Sequence, residues 1–336
     1  MINALCIKSV RMKKYLFLQF ALIFLSLISK SQDLHYADVE TMNIWYNQSL
    51  KTNRQADLRF NFRDIKYQSV LAFRTSSAIV NMPFLRKENR NDYEGKSFLN
   101  LTAGGAFDKS NKGVFKNSTG MLGLSYSQRL SDNLLFLSAG FQGTVTRSQL
   151  GSPVGLFPDQ FDQYGPLPSG TLDPLRSGRS FNWASLNAGL SLYQNTEYKE
   201  WYFGGSIRHI NRPFVDEQKT AIYRLAPTLG LQAGLTVKNE SEKFGIYGIA
   251  NWKAQAYEYL LGARFTKIID SKDGDSEGST FGGGIAVRLR DAIIPNLQLK
   301  LNKTVIALHY DVNISGLKAS GYSRQGIELA ISRKID

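Results

Sequence analysis

Three histidines, His35, His209 and His309, stand far apart in a chain of 336 residues. No two have the spacing of a metal pair, and none lies beside an acid and a serine in the arrangement of a nucleophilic triad. The acidic run at 270–278 (DSKDGDSEG) approaches a calcium loop, but its glycine follows the second acid rather than the third. Asp-Gly is also the ordinary turn signal between two strands, and an exposed hairpin turn is expected there. Gly282, Gly283 and Gly284 open a candidate strand instead of joining a strand to a helix. They suit bending or close backbone approach, not phosphate binding. No catalytic residue, cofactor or metal site is expected. What remains is charge pairing. Arg288, Arg290, Asp291, Lys300 and Asp311 fall in the C-terminal strands, and with His209 and Arg212 they are candidates for a polar network of a lumen or rim. A lipid-facing Arg or Lys at mid-depth of a membrane costs about 2–4 kcal/mol, so such charges should point inward and pair with one another.

The elements that must position these residues repeat down the chain. Residues 119–130 (TGMLGLSYSQRL), 134–147 (LLFLSAGFQGTVTR), 183–193 (WASLNAGLSLY) and 306–314 (IALHYDVNI) alternate aliphatic or aromatic residues with Ser, Thr, Gln, Asn or Gly. Period-two alternation in segments of about ten residues is the pattern of a membrane β-barrel strand. Candidate strands fall at 57–64, 69–80, 97–107, 119–130, 134–147, 181–193 and 200–210. Seven more follow at 223–237, 244–252, 257–268, 280–290, 294–302, 304–313 and 326–333. The expected fold is all-β: a transmembrane antiparallel β-barrel of the outer membrane with about 14 strands, an even number as single-chain bacterial barrels require. The last strand ends in Arg333-Lys334-Ile335-Asp336, not in the aromatic residue on which many barrels end.

The N-terminus supports export. Arg11, Lys13 and Lys14 precede an apolar run at 15–28, and Ser29-Lys30-Ser31 supplies small residues for cleavage between Ser31 and Gln32. Residues 1–31 read as a signal peptide, too short in its apolar part for a confident spanning helix. Cys6 lies within it, so the exported part has no thiol for a disulfide, a metal site or a nucleophile. Residues 32–56 read as a polar and aromatic segment that tucks into the lumen or lies at the periplasmic rim, and 57–336 as a single barrel. The mean hydropathy of −0.25, the 29 glycines and the 12% aromatic content all fit a barrel whose lumen is polar. The formal charge is +13, and removal of the five cations of the signal leaves +8. A basic surface suits an anionic lipid, an acidic partner or an anionic solute. Nucleic acid is not an expected partner, because the chain is exported and has no clustered basic helix.

Connections alternate in length. Positions 131–133 and 253–256 are tight turns, whereas 148–180 is long and holds Pro153, Pro158, Pro166, Pro168 and Pro174. A long loop of this kind is usually functional. Pro153, Phe157, Phe161, Tyr164, Pro168 and Arg176 are its candidate partner-binding residues.

The sequence resembles the PorP/SprF membrane proteins of the Bacteroidetes type IX secretion and gliding system over nearly all of its exported part. The resemblance is carried by Ser31-Gln32-Asp33, Asn61-Phe62-Arg63, 137–141 (LSAGF), 203–213 (FGGSIRHINRP), 291–295 (DAIIP) and 310–317 (YDVNISGL). Where the family usually has Asn-Pro-Ala or Asn-Pro-Ser, this chain has Asn47-Gln48-Ser49. The resemblance implies a non-enzymatic outer-membrane barrel that assists export and surface attachment of a large adhesin through its C-terminal domain. The implied partners are that adhesin, periplasmic components of the secretion and gliding machinery, and outer-membrane lipid. The competing expectations are a passive channel for a small apolar or anionic solute, and an outer-membrane enzyme acting on lipid, for which no nucleophile and base stand together. A closed barrel has no free edge, so loops or rim must dock a partner, and the Pro-rich loop and a basic lumen are the candidate surfaces. Deleting 153–178 is expected to abolish adhesin retention at the cell surface while the barrel still folds. Unchanged retention on whole cells would rule that loop out.

Overall fold

The computed structural model describes residues 35–50, 55–67, 71–84, 97–110, 115–131, 133–150, 161–162, 165–166, 179–215, 224–254, 256–270, 278–315 and 324–335. The expected signal and its expected cleavage site lie outside these residues. So do Pro153, Phe157, Tyr164, Pro168, Arg176 and positions 271–277 of the acidic turn.

Fourteen strands close into one antiparallel barrel. The first five are β1 (Ala56–Tyr67), β2 (Leu71–Phe84), β3 (Ser97–Ser110), β4 (Phe115–Ser131) and β5 (Leu135–Leu150). Two-residue strands β6 (Phe161–Asp162) and β7 (Gly165–Pro166) pair with each other in a separate sheet. The wall resumes with β8 (Arg179–Asn195), β9 (Lys199–Arg208), β10 (Thr228–Lys238), β11 (Glu242–Lys253) and β12 (Ala256–Asp270). It ends with β13 (Ser279–Arg288), β14 (Ala292–Leu301), β15 (Thr304–Asn313) and β16 (Arg324–Ile335). Each strand pairs with the next along the chain, β5 pairs with β8, and β16 closes on β1 from Ala56↔Ile335 to Tyr67↔Arg324. The strand expected at 223–237 begins later, at Thr228, because Arg224 and Leu225 bond back to the preceding connection, Arg224 in an isolated bridge to Phe214 and the Leu225 N–H to the Pro213 carbonyl at 2.9 Å. Pro295 has no N–H to give, and the β14–β15 ladder skips Ile294 and Pro295.

Alternation sets the two faces. On β4, Met121, Gly123, Ser125 and Ser127 point inward and are buried, while Leu122, Leu124 and Tyr126 point outward and are exposed. Through the middle of the wall the outward face is apolar: Phe107 is 66% exposed, Leu122 66% and Phe141 68%. The inward face carries Ser, Thr, Asn, Gln and paired charges. This inverted polarity is stable only where the surroundings are lipid.

The chain enters β1 at the end where it leaves β16, so successive connections alternate between two ends. The connections at 151–178 and 209–227 lie at the end opposite the chain's entry and exit. Long loops face outward in such barrels, which makes this the extracellular end. The sorting is not strict, since the twelve positions 85–96 join β2 to β3 at the periplasmic end.

Phe141→Arg places a charge on the lipid-facing wall and is expected to cost about 2–4 kcal/mol in a reversible folding titration into bilayers. Tolerance without loss would contradict the outward assignment of this face.

Candidate functional site

Residues 35–50 lie inside the barrel, and the wall is built to hold them. A short helix, α1 (Asn43–Tyr46), sits at the centre of this lumen segment. Before it, the Asp38 Oδ1 atom accepts the Thr41 N–H at 3.0 Å and closes a turn. Tyr36 and Tyr46 pack edge to face at 6.4 Å, and the Tyr36 N–H donates to the Tyr46 hydroxyl at 2.9 Å. Burial pushes both phenols well above their ordinary range. Tyr36, Met42 and Ile44 join wall residues such as Ile79, Ile249 and Ile294 in one buried apolar cluster.

The wall grips the segment's backbone through side chains. Glu328, inward on β16, accepts the N–H of Ala37 at 2.7 Å and of Asp38 at 2.9 Å. The same carboxylate takes the Asn61 amide at 2.8 Å and lies 3.4 Å from Arg63 Nε. Arg63 donates to the His35 carbonyl, and Arg59 donates to the Thr41 carbonyl at 2.8 Å and the Asn43 side chain at 2.8 Å. Gln142 on β5 donates to the Ile44 carbonyl at 3.2 Å, and Ser191 on β8 to the Ser49 carbonyl. These donors come from several sides of the barrel, so the segment cannot move without breaking contacts on opposite walls.

A glycine shelf receives the end of the segment. Gly123, Gly140, Gly189 and Gly204 sit inward on β4, β5, β8 and β9. A Cβ on Gly189 would overlap the Asn47 side chain, and one on Gly140 would meet the Ser49 N at 2.7 Å and the Gln48 carbonyl carbon at 2.8 Å. The Leu50 N–H bonds the Asn47 carbonyl at 3.2 Å, making a β-turn with Gln48 at its second position. Proline is favoured at that position but not required, which is how Asn47-Gln48-Ser49 keeps the turn. Gln48 adds a bond of its own, donating to Thr102 Oγ1 at 2.9 Å.

A charged cluster closes the extracellular side of the segment. Arg288 lies 3.1 Å from Asp291 and 3.1 Å from Asp311, and 3.3 Å from Glu258. Arg324 bridges Asp291 at 2.7 Å and Asp311 at 3.0 Å, and Arg63 reaches Asp311 at 3.1 Å. His35 meets Glu258 at 3.1 Å, and Arg264 pairs with Glu40 at 2.8 Å. His309 Nε2 approaches Asp38 Oδ2 to 3.5 Å, an ion-pair contact without hydrogen-bond geometry. Burial alone would raise the Asp38 carboxyl. The facing His309, with Arg264 behind it, outweighs burial and holds it well below the usual carboxylate range. Asp291, in the turn between β13 and β14, is likewise lowered, with Arg324 and Arg288 outweighing its burial.

The structure therefore brings Arg288, Asp291 and Asp311 together, and adds Arg63, Arg324, Glu258 and Glu328. His209 and Arg212 stand apart on the β8–β9 wall: the His209 ring bonds Ser185 at 2.9 Å, and both residues adopt positive φ in the connection after β9. Arg290 sits in an exposed turn and bonds the Tyr257 hydroxyl at 3.0 Å. Of the loop candidates only Phe161 is described, as part of β6. A basic lumen is not observed among the described residues. Arg59, Arg63, Arg264, Arg288 and Arg324 are each matched by carboxylates, and Arg208 lies 5.6 Å over the Tyr46 ring, because an unpaired buried charge is strongly destabilising. The alternation Asp57-x-Arg59-x-Asn61-x-Arg63 was the readable signal for the inward polar face of β1. Glu328, a lone acid in the apolar run 327–331, was the other.

A closed, apolar-out, polar-in barrel with a filled lumen defines an outer-membrane β-barrel protein. The family model for type IX secretion system membrane protein PorP/SprF matches residues 40–332, and the chain belongs to that family. No curated protein matches the sequence. Solved structures are similar only distantly. The toluene transporter TbuX of Ralstonia pickettii has 10% identity and a TM-score of 0.48, covering 85% of this chain and 90% of its own. An outer-membrane channel of Pseudomonas putida F1 has 10% identity and a TM-score of 0.43 over 90% and 100%. The translocator domain of the autotransporter NalP from Neisseria meningitidis has 9% identity and 0.37 over 89% and 96%.

Glu328→Ala leaves two backbone N–H groups and Arg63 without their shared acceptor, and is expected to cost about 3–5 kcal/mol. Gly140→Leu should dislodge residues 47–50, whereas Gly143→Leu, outward with nothing within 4 Å, should not. Limited proteolysis of the purified barrel reads this as cleavage within 35–50. Equal protection in all three variants would contradict the docking described.

Proposed function

We propose that this protein is a non-enzymatic anchoring component of the type IX machinery that assists export and surface attachment of a large adhesin through its C-terminal domain. The observation that carries the reading is the lumen segment. Residues 35–50 span the interior and are held from opposite walls, which suits a rigid docking platform better than a solute path. Family membership supports a role beside secretion machinery and cargo. The closed ladder leaves no strand edge for a partner to extend, so docking falls to the loops and rims. The longest connection, which carries Pro153, Phe157, Phe161, Tyr164, Pro168 and Arg176, is the proposed adhesin-facing surface. The periplasmic rim is the proposed surface for the machinery.

Mild-detergent capture of the tagged protein from its native outer membrane, read by mass spectrometry, is expected to recover a large surface protein with a type IX sorting domain together with periplasmic machinery. Recovery of the barrel without partners would contradict the anchoring role.

A further inference from the structure

The outward wall of β1–β5 carries a feature that neither the lumen nor the loops explain. At the extracellular end a row of cations crosses adjacent strands: Lys66 on β1, Arg74 on β2, Lys109 on β3, Lys116 on β4 and Arg147 on β5. All five are exposed, and outward by alternation. Register joins them laterally, with Asp64↔Arg74, Arg74↔Lys109 and Lys109↔Lys116 as direct cross-strand partners. Asp64 is the acid in this row, 3.4 Å from Arg74, whose side chain remains 52% exposed.

The opposite half of the same end has a different character. There the outward residues include Trp252, Tyr257 and Tyr259, with ring centroids 5.6–5.9 Å apart between neighbours. That is the ordinary aromatic girdle of a membrane boundary. At this end, among the described outward strand residues, the cations gather on the β1–β5 face.

Directly below the cations lies a groove. Phe62↔Ser76↔Phe107 is the next outward row, and Phe60↔Ala78↔Gly105 the one after. The small residues Ser76, Ala78 and Gly105 form the floor, and the three phenylalanine rings stand beside it. The resulting cavity is about 370 Å³ and almost wholly apolar. That is within the range of small-ligand sites. Depth fits as well. On β3 the outward residues from Leu99 to Phe107 run without a charge, about 20 Å of membrane at the usual strand tilt, and Lys109 follows at once. The cations therefore stand at headgroup level of the outer leaflet and the groove at acyl level.

We propose that this face is a binding site for an anionic, phosphorylated lipid of the outer leaflet, with phosphate on the Arg74–Lys109–Lys116 row and one acyl chain in the Phe60–Phe62–Phe107 groove. Arg and Lys together give charge-assisted bonds to phosphate, and the dent gives one chain a fixed place against the wall. The site is separate from the lumen segment and does not depend on the anchoring role.

Native mass spectrometry of the full-length protein tests this with two probes, bisphosphorylated lipid A and the same lipid A after dephosphorylation. The phosphorylated form should be retained about tenfold better or more. The double variant Lys109→Glu with Lys116→Glu should lose that preference. Gly105→Leu should lower retention of both forms by filling the groove; a Cβ there meets only the Thr119 carbonyl oxygen at 3.5 Å, so the wall accepts it. Equal retention of the two probes by the native protein overturns the proposal without any variant. Retention of neither also overturns it, and would leave the face to a protein partner. Wild-type retention by both folded variants would show that lipid binds elsewhere.

Discussion

A wall of fourteen strands encloses more space than its own side chains can fill. Eight strands are filled by their inward residues, and sixteen to eighteen leave an aqueous channel. This barrel lies between the two, and residues 35–50 occupy the difference. Everything inside the wall follows from that. Glycines on β4, β5, β8 and β9 make room for Asn47, Gln48 and Ser49. Long inward side chains on β1, β12 and β16 reach the segment: Arg59, Arg63, Glu258, Arg264 and Glu328.

Filling a lumen with irregular backbone raises a second demand. Each N–H and C=O taken out of water needs a partner, and a short helix cannot supply them all. Glu328, Arg63, Arg59, Gln142 and Ser191 supply them from the wall. Their charges then need neutralising in turn, which draws in Asp57, Asp311, Arg288, Arg324, Asp291 and Glu258. Such a network adds little net stability over an apolar core, but it fails badly when one member is lost. Its role here is to fix one position of the segment in the lumen.

The barrel was legible in the sequence because period two is written in side chains that must face lipid. All fourteen strands could be placed from it, and where a start differed, as at Thr228, no alternation marked the boundary. Arg288 and Asp311 were legible because charge has only one tolerable face in a membrane strand, and Asp291 follows Arg288 in the next turn. Their true partners were not. Arg63 lies 248 positions from Asp311, and Glu328 lies 291 positions from Ala37, so closure of the barrel alone brings them together. The lumen segment has no periodicity to read, since neither a strand nor a long helix fits the space it fills. The charge balance of the lumen was also hidden. The excess of basic residues in the sequence suggested a basic interior, whereas part of that excess lies on the outward rim of β1–β5.

A lumen segment held from opposite walls is the observation on which the proposed anchoring role rests, and it predicts that the barrel presents surfaces and not a path. The most direct test is the single-channel conductance of the purified full-length protein in a planar bilayer. The account predicts no steady conductance from the native protein, and open-channel steps once Glu328→Ala and Gly140→Leu are combined to release residues 35–50. Steady ohmic conductance from the native protein, unchanged in that variant, would show that the lumen is open and would contradict the account.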